Sequence, residues 1–260
     1  MKIASFNING VRARIEPLLR WLKETAPDVA CLQEIKSLDA AFPREMIEDL
    51  GYNVATHGQK GFNGVAILSR HPLEDVTRGL PGDDDDEQAR WIEASVSGAH
   101  GALRVCCLYL PNGNPAPGPK YDYKLAWMAR MEARVRALLA DEMPAAFLGD
   151  YNVIPLAVDA ARPEEWARDA LFLPESRAAL RRMVHLGLSD AIRLGFPGPG
   201  VYTYWDYQRN AWERNDGVRI DHVLLTPQAA DLLGDCGIDR DMRAGERPSD
   251  HVPVWVDLAI

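Results

Sequence analysis

Residues 90–110, RWIEASVSGAHGALRVCCLYL, contain two largely apolar runs, RWIEASV and LRVCCLYL, on either side of a short glycine-containing segment. Both runs have the composition of β-strands, and the loop between them is too short for a helical crossover. The run GVAILS at 64–69 precedes them and favours a strand in the same way. The three runs are expected to be antiparallel neighbours, because a strictly alternating parallel fold would need a helix after each strand.

Strand-like runs continue along the rest of the chain, and most contain β-branched residues: KIASFNI (2–8), DVACLQE (28–34), AAFLGD (145–150), RIDHVLLT (219–226) and VPVWVDL (252–258). Helical spacing of apolar residues predicts helices at 11–25, at 120–142 and from about 174 to 187. Many strands with few helices predict a mixed α/β sandwich, in which two sheets pack face to face and helices cover them.

The composition restricts the class of protein. The 260 residues carry a formal net charge of −9, part of which comes from the run DDDDE at 83–87. Taken alone, this charge argues against a nucleic-acid partner, because phosphate contacts need Lys and Arg, but net charge is a poor guide to a local patch. Four cysteines without CxxC spacing indicate free thiols in a reducing compartment.

The chain shows no targeting or membrane signal. No apolar run approaches the ~20 residues needed to span a bilayer, and the start, MKIASFNING, lacks a signal-peptide core. We therefore expect a soluble cytoplasmic protein without a membrane partner, and a monomer, since nothing in the sequence indicates an oligomer.

Polar residues occur at one end of six predicted strands. Each has an ordinary explanation by itself, because Asn and Gly-Asp favour turns and Glu is usually exposed. Their joint pattern is less easily explained by turns, and it predicts a site at one edge of the sandwich. The residues are Asn7, Asn9, Gln33, Glu34, Tyr109, Asn112, Asp150, Asn152, Asp221, Asp250 and His251.

The chemistry of these residues indicates phosphoester hydrolysis. Oxygen donors with an imidazole and no thiolate suit Mg²⁺ or Mn²⁺. Asp221 lies in an apolar strand, where a charge is costly unless it is paired, and His251 is a natural partner. Asp150 is suited to take a proton from water, Asn152 to donate to a phosphate oxygen, and His251 to supply charge.

The sequence resembles the exonuclease III family of apurinic/apyrimidinic endonucleases, within the endonuclease–exonuclease–phosphatase superfamily. The resemblance is collinear over essentially the whole chain. It is carried by nine segments: FNINGVRAR, LQEIK, GYNVATHGQKGFNGVAILS, GDDDDEQARWIEA, LYLPNG, LGDYN, YTYWDYQ, GVRIDHVLL and RPSDHVPVW. The fold that it implies is a four-layered, DNase I-like α/β sandwich, with two mixed, mainly antiparallel sheets in a single domain of residues 1–260.

The resemblance also implies roles for the strand-end residues. Glu34 is the expected main metal ligand, with Asn7 and Asp250 nearby, and the cofactor is Mg²⁺ or Mn²⁺. The expected catalytic residues are Tyr109 at the phosphate, Asp150 at the water or leaving oxygen, Asn152 as a transition-state donor, and the pair Asp221 and His251 at the scissile phosphate. The number of metals stays open, because Asp150, Asn152 and His251 could hold a second ion.

The substrate that the resemblance implies is duplex DNA with abasic sites or 3′ ends. Cleavage is expected 5′ to the abasic site, leaving a 3′-hydroxyl, with 3′→5′ exonuclease and 3′-end-cleaning activity besides. Extruding a base-less nucleotide is inexpensive, because no base pair is lost. Because this substrate is DNA, the protein is expected to act at the nucleoid.

The candidate DNA contacts include Tyr204, which stands where family members often carry Trp. The full set is Asn112, Tyr204, Trp205, Arg209, Lys60 and Arg90, and Lys120 and Lys124 are further candidates for phosphate contacts. Two alternatives remain: a phosphodiesterase of the same fold acting on another phosphoester, and a catalytically silent nucleic-acid-binding protein. The silent protein should have lost some ligands, and none is missing.

Overall fold

The computed structural model describes residues 1–260 and contains twelve strands and six α-helices. The strands are β1 (Lys2–Asn7), β2 (Val29–Gln33), β3 (Asn53–His57), β4 (Val65–Ser69), β5 (Glu74–Arg78), β6 (Trp91–Ser97), β7 (Ala102–Tyr109), β8 (Ala145–Asp150), β9 (Ser189–Asp190), β10 (Asp221–Leu225), β11 (Leu233–Ile238) and β12 (Val254–Leu258). The helices are α1 (Ile15–Thr25), α2 (Arg44–Glu48), α3 (Pro119–Ala140), α4 (Pro174–His185), α5 (Ala191–Gly195) and α6 (Pro227–Ala230). Short 3-10 turns lie at Val11–Arg14, Asp39–Ala41, Ala157–Asp159, Pro163–Trp166 and Arg240–Ala244.

The strands form two six-stranded sheets, in the orders β11-β12-β1-β2-β4-β3 and β5-β6-β7-β8-β10-β9. Only β1–β2 and β7–β8 are parallel, and each of these pairs is connected through a helix, α1 or α3. All other pairs are antiparallel. This confirms the predicted mixed, mainly antiparallel architecture.

One expected pairing is wrong. The strands β6 and β7 pair along their length, as predicted from residues 90–110. The run GVAILS, however, forms β4 in the other sheet, where it pairs with β2 and β3. The chain between β4 and β6 includes β5 and the acidic loop, and it crosses from one sheet to the other.

Four strands that the sequence did not indicate, β3, β5, β9 and β11, are the four edge strands of the two sheets. Most of their residues are at least partly exposed, including every residue of β5, although Ala55 and Thr56 of β3 are buried. Edge strands need no continuous apolar face, so their sequences lack the alternation that marks an inner strand.

Apolar side chains fill three layers between the four layers of secondary structure. A cluster of 23 buried residues lies between the two sheets. A second cluster packs β7 and β8 against α3 and α4, and a third packs β1 and β2 against α1. Side chains of β1 point alternately to the two faces of its sheet. Ile3 packs in the cluster between the two sheets, and Phe6 packs against Trp21 of α1. Full burial of each large apolar side chain contributes about 1.5–3 kcal/mol.

The topology gathers strand ends at one edge of the sandwich. The carboxyl ends of β1, β2, β7 and β8 meet the amino ends of β10 and β12 there. Asp150 is the register partner of both Tyr109 and Asp221. Gly149 allows this approach, because a Cβ there would lie 1.9 Å from the carbonyl oxygen of Leu108.

The cysteine and membrane expectations can be compared with the structure. All four cysteines are free thiols; Cys31, Cys106 and Cys107 are buried, and Cys236 is half-buried. None of the α-helices combines the length and the apolar character that crossing a bilayer requires.

Candidate active site

The gathered strand ends line an open cleft of about 340 Å³. Eight of the predicted site residues contribute to its wall: Glu34, Tyr109, Asn112, Asp150, Asn152, Tyr204, Asp250 and His251. Asn7 and Asp221 lie behind this wall and are fully buried. The structure therefore brings together every residue that was predicted to be catalytic or metal-binding.

One ring nitrogen of His251 forms a hydrogen bond with a buried carboxylate. Its Nδ1 lies 2.8 Å from Oδ2 of Asp221, and its Nε2 lies 3.6 Å from Oδ2 of Asp150. Burial alone would lower the pKa of His251, but the charges of Asp221 and Asp150 outweigh it and raise the pKa to about 10. The ring is therefore an imidazolium at neutral pH, and Nε2–H is directed towards Asp150.

Asp150 is held from two sides at the end of β8. Its Oδ1 accepts the backbone N–H of Asn152 at 2.9 Å, and its Oδ2 accepts a hydrogen bond from the Asn7 amide at 2.9 Å. Burial raises the pKa of this carboxyl; the charge of His251 opposes the shift, and Asp221 reinforces it. A buried carboxylate with a raised pKa is the kind of group that accepts a proton from water near neutral pH.

Asn152 has a left-handed backbone conformation (φ 47°), which is uncommon for a residue other than glycine. Its Nδ2 donates to the carbonyl of Leu110 at 2.9 Å, and its Oδ1 accepts from Asn112 at 3.2 Å. The buried Nζ of Lys124 donates to the carbonyls of Asn112 and Asn152, at 3.0 and 2.6 Å, and burial lowers the pKa of this amine to about 7. These bonds orient the side-chain amide, and the second N–H of Nδ2 remains available to a substrate.

Glu34 also has a left-handed backbone (φ 50°), directly after β2. Its Oε1 accepts from Asn7 at 3.0 Å, and its Oε2 lies 2.8 Å from Nζ of Lys36. Burial would raise the pKa of Glu34, but the hydrogen bonds from Asn7 and Lys36 outweigh it and lower the pKa. Glu34 is therefore ionised, and Asn9 extends the group by bonding both Lys36 and Asp250.

The phenol of Tyr109 lies beside these carboxylates. Its ring stacks against the guanidinium of Arg90, whose Cζ is 4.9 Å from the ring centroid. Burial and the nearby charges of Glu34 and Asp150 raise the pKa of Tyr109, so the phenol keeps its proton. Tyr109 can therefore donate a hydrogen bond to an anion.

A buried ion network supports the start of β10 behind the cleft. Arg219 donates to Asp159 and Asp190, both at 2.7 Å, and lies 2.9 Å from Nδ1 of His222. The Nε2 atom of His222 is 2.9 Å from the carbonyl of Val153. The network joins the loop after Asn152 to β10, so it fixes the position of the neighbouring catalytic strand ends.

The donor set suits a hard divalent cation. Four carboxylates, those of Glu34, Asp150, Asp221 and Asp250, outnumber the two cationic groups paired with them, Lys36 and His251. The buried Oδ1 of Asp221 has no hydrogen-bond partner in the protein. Excess negative charge and oxygen donors fit Mg²⁺ or Mn²⁺.

The predicted DNA contacts differ in exposure. Lys60, Asn112 and Arg209 are exposed, and Arg90 is half-buried. The ring of Tyr204 packs edge-on against that of His251, with their centroids 4.9 Å apart. These side chains border the site or its surroundings, and their contact with DNA stays a prediction.

Two predicted contacts are wrong because the side chains are buried. The indole of Trp205 is fully buried, donates to Asn215 at 3.2 Å and packs edge-on against Trp212. Lys124 is fully buried and bonds only backbone carbonyls, whereas Lys120, on the same helix, is exposed. Burial of this kind cannot be recognised from a single aromatic or basic residue in a sequence.

Sequence reasoning also missed residues that the structure places at the cleft. Lys36 belongs to the segment LQEIK, which is a signal that could have indicated it. Trp166, Asp169, Leu171 and Asp206 line the cleft as well. Asp206 belongs to the segment YTYWDYQ, which could have indicated it, whereas the other three come from a stretch without a recognisable pattern.

The fold and the site define a DNase I-like α/β sandwich with a hydrolytic type of site at one edge. A family model described as the Endonuclease/Exonuclease/phosphatase family matches residues 4–251, and the chain belongs to this family.

Individual relatives agree with this assignment. Exodeoxyribonuclease III of Haemophilus influenzae is 38% identical over 266 aligned residues, which cover 99% of this chain and 100% of the relative. The structure of an AP endonuclease from Archaeoglobus fulgidus aligns with a TM-score of 0.94 at 36% identity and covers 100% of both chains. The structure of the 3′ phosphatase NExo from Neisseria bound to a product DNA hairpin aligns with a TM-score of 0.96 at 36% identity, again over 100% of both chains.

Proposed function

We propose that this protein is a Mg²⁺- or Mn²⁺-dependent DNA repair phosphodiesterase. It cleaves duplex DNA 5′ to an abasic site, leaving a 3′-hydroxyl, and it removes nucleotides and phosphates from 3′ ends. The observation that carries the proposal is the buried Asp221–His251 pair, whose free ring nitrogen faces Asp150 in a cleft bordered by Glu34. The relatives named as exodeoxyribonuclease III, AP endonuclease and 3′ phosphatase support DNA as the substrate.

The scissile phosphate is held by donors that stay protonated. The Nε2–H of His251, the phenol of Tyr109 and the free amide N–H of Asn152 converge on the cleft. Charge develops on the phosphoryl oxygens in the transition state, and donors fixed in a partly dry site stabilise that charge without reorganising.

Asp150 is the proposed acceptor of the proton of the attacking water. Water attacks phosphorus as its proton passes to Asp150, and the bond from phosphorus to the upstream 3′-oxygen breaks. That oxygen takes up a proton and becomes the 3′-hydroxyl, and the phosphate stays on the 5′ side of the abasic nucleotide. The raised pKa of Asp150 suits this exchange, because the group can both accept and return a proton near neutral pH.

The cation supplies Lewis-acid polarisation of a phosphoryl oxygen when it is bound. We propose that Glu34 is its main ligand, with Asn7 and Asp250 nearby. Ligand atoms of Asp150, Asp221 and His251 also lie within 4.8 Å of one another. A cation there would have to displace protons from an imidazole whose pKa is raised to about 10, so the Glu34 side is the better site for the first ion. A second ion held by Asp150, Asn152 and His251 stays a prediction.

The acidic chain must contact DNA through a local basic surface. The exposed Lys60 and the half-buried Arg90 are the proposed phosphate contacts, and Asn112 and the exposed Arg209 are further proposed DNA contacts. Counterion release at such contacts makes affinity fall steeply with salt concentration. A monomer remains the expected state.

The deciding experiment uses a duplex that bears one abasic-site analogue. The full-length protein is incubated with it in Mg²⁺ and in chelator, and the products are resolved on a denaturing gel. We expect one Mg²⁺-dependent incision immediately 5′ to the analogue, with a 3′-hydroxyl on the upstream fragment. Absence of incision, together with no release of phosphate from a 3′-phosphate end, would overturn the proposal.

A further inference from the structure

We propose that a second cavity beside the catalytic cleft binds the nucleobase of an unpaired 3′-terminal nucleotide. This cavity, the Trp166 subsite, has a volume of about 290 Å³, and its lining includes Arg162, Trp166, Asp169, Asp206, Gln208 and Arg209. The inference rests on the proposed function, because it specifies which of the substrates uses this part of the surface.

The Trp166 subsite is continuous with the cleft at three residues. Trp166, Asp169 and Asp206 line both cavities. A nucleotide whose 5′-phosphate lies at His251 can therefore place its sugar at the cleft wall and its base beyond it. An abasic nucleotide at the same position has no base to place there.

Trp166 provides a fixed aromatic surface. It ends the 3-10 turn Pro163–Trp166 and packs against a small apolar cluster that includes Ile154, Leu171 and Ile220. The side chain is only partly buried, so part of the indole remains accessible at the cavities. An aromatic ring held in this way can stack any of the four bases, because every base has a π-face.

The charges at the junction favour a base over a phosphate. Asp169 and Asp206 form no ion pair; Oδ1 of Asp169 accepts from Asn114 and from the backbone of Leu171, and Oδ1 of Asp206 accepts from the backbone of Gln208. Two such carboxylates repel phosphate and accept hydrogen bonds from amino groups. The exocyclic amines of cytosine, adenine and guanine fit this requirement, and thymine has none.

The outer part of the subsite retains one free cation. Arg162 pairs with Glu165 and Asp216, and Arg214 pairs with Asp216 as well. Arg209 is exposed and forms no ion pair. Its guanidinium is available to the carbonyl and ring-nitrogen acceptors of a base whose amine faces the carboxylates.

A binding measurement tests the subsite directly. A duplex with an unpaired 3′-terminal 2-aminopurine is titrated with protein in EDTA, which prevents hydrolysis. We expect the fluorescence to be quenched by stacking on Trp166. Trp166→Leu keeps apolar packing but removes the aromatic face, so the quenching should be lost, whereas Trp166→Phe should restore most of it. Phe196→Leu, which changes an exposed aromatic side chain that lies outside both cavities, is the matched control.

A kinetic ratio gives the second readout. The kcat/KM for excision of an unpaired terminal dC is divided by that for removal of a 3′-phosphate from a paired end. We expect Trp166→Leu to lower this ratio about tenfold, in keeping with the strength of base–aromatic stacking. Asp206→Asn should reduce the preference of the wild-type protein for terminal dC over terminal dT.

The outcomes separate the two proposals. Unchanged quenching in Trp166→Leu, or a ratio equal to that of the wild-type protein, overturns the subsite even if abasic incision is normal. A wild-type protein that quenches 2-aminopurine but cleaves none of the substrates overturns the proposed function and leaves the subsite supported. Loss of folding in Trp166→Leu would appear in circular dichroism, and the Trp166→Phe comparison then decides.

Discussion

The charged residues on the two sides of the cleft differ in how deeply they are buried. On the imidazole side, comprising Asp150, Asp221 and His251, the exposed fraction of each residue is at most 4%. On the Glu34 side, Glu34 and Asp250 are half-buried and remain accessible to solvent. The first side thus determines protonation states through burial together with close charges, and the second keeps ionised oxygens within reach of a hydrated cation.

One amide connects the two sides. The Nδ2 of Asn7 donates to both Glu34 and Asp150, at 3.0 and 2.9 Å. The backbones of Glu34 and Lys36 on the accessible side are left-handed, as is that of the buried Asn152 beside Asp150. A single cluster of carboxylates can therefore separate proton transfer from cation binding through differences in burial, in neighbouring charges and in hydrogen bonds.

The largest expected effect is on the imidazole side. Asp150→Asn keeps the shape of the side chain but cannot accept a proton from water. We expect the single-turnover rate of abasic-site incision to fall roughly 10²–10⁴-fold, with DNA affinity retained in a fluorescence anisotropy assay. Asp85→Asn, in the exposed acidic loop, is the control. A near-normal rate in Asp150→Asn would show that the proton acceptor is another group.

Asp221→Asn, on the same side of the cleft, should change the pH dependence of the incision rate. Without the Asp221 charge, burial lowers the pKa of His251 from about 10, although Asp150 still opposes this shift, so the positive charge of the ring is less strongly held. The rate should fall by about two orders of magnitude. Lowering the pH should not restore it, because Asp150, whose pKa is raised, then takes up a proton. NMR titration of His251, together with the pH–rate profile, tests this.

The Asp221–His251 pair should make the free energy of unfolding depend on pH. His251 has a higher pKa in the folded protein than the ordinary value of about 6.5. Its stabilising contribution is therefore fully present below about pH 6.5 and is lost as the pH rises towards about 10. Urea unfolding at several pH values should show this decline in the wild-type protein and a flatter curve in Asp221→Asn. Equal curves for both proteins would contradict the pairing.

A smaller effect is expected on the accessible side. Glu34→Gln removes the main proposed ligand, so the Mg²⁺ concentration for half-maximal activity should rise roughly 10–100-fold. Excess Mg²⁺ should restore part of the rate, in contrast to Asp150→Asn. Glu45→Gln, an exposed residue elsewhere, is the control. An unchanged Mg²⁺ requirement would place the cation on the imidazole side instead.

The smallest effect concerns the support of Asn152. Lys124→Met keeps the length of the side chain but leaves the carbonyls of Asn112 and Asn152 without their donor. We expect the free energy of unfolding to fall by about 1–3 kcal/mol, with a modest loss of rate. Lys120→Met, on the exposed face of α3, is the control. Equal stability of the two variants would show that the hydrogen bonds of Lys124 do not stabilise the folded protein.

Much of the fold could be predicted from local pattern. The inner strands β1, β2, β4, β6, β7, β8, β10 and β12 and the helices α1, α3 and α4 all correspond to predicted segments. They bury continuous or alternating apolar faces, so their sequences carry the signal. The edge strands do not, and the assignment of GVAILS to a sheet depended on a crossing that no local pattern encodes.

The candidate site was indicated by residue type and position along the chain. Carboxylates, amides and an imidazole at strand ends, and the order of the nine segments, were enough to select the residues that the structure assembles. The pairing of Asp221 with His251 followed from the cost of burying a charge. The pattern of strand ends indicated the residues and the type of chemistry, and the resemblance to a known family implied the role of each residue.

Tertiary structure alone decided burial, protonation and the shape of the surface. It removed Trp205 and Lys124 from the set of DNA contacts, raised the pKa of His251 while lowering that of Glu34, and placed Trp166 beside the cleft. The physical reason is that desolvation and Coulomb interactions depend on distances between segments far apart in sequence. The sequence by itself therefore determined which chemical groups are present and which strands carry them, and the packing of the two sheets determined what each group can do.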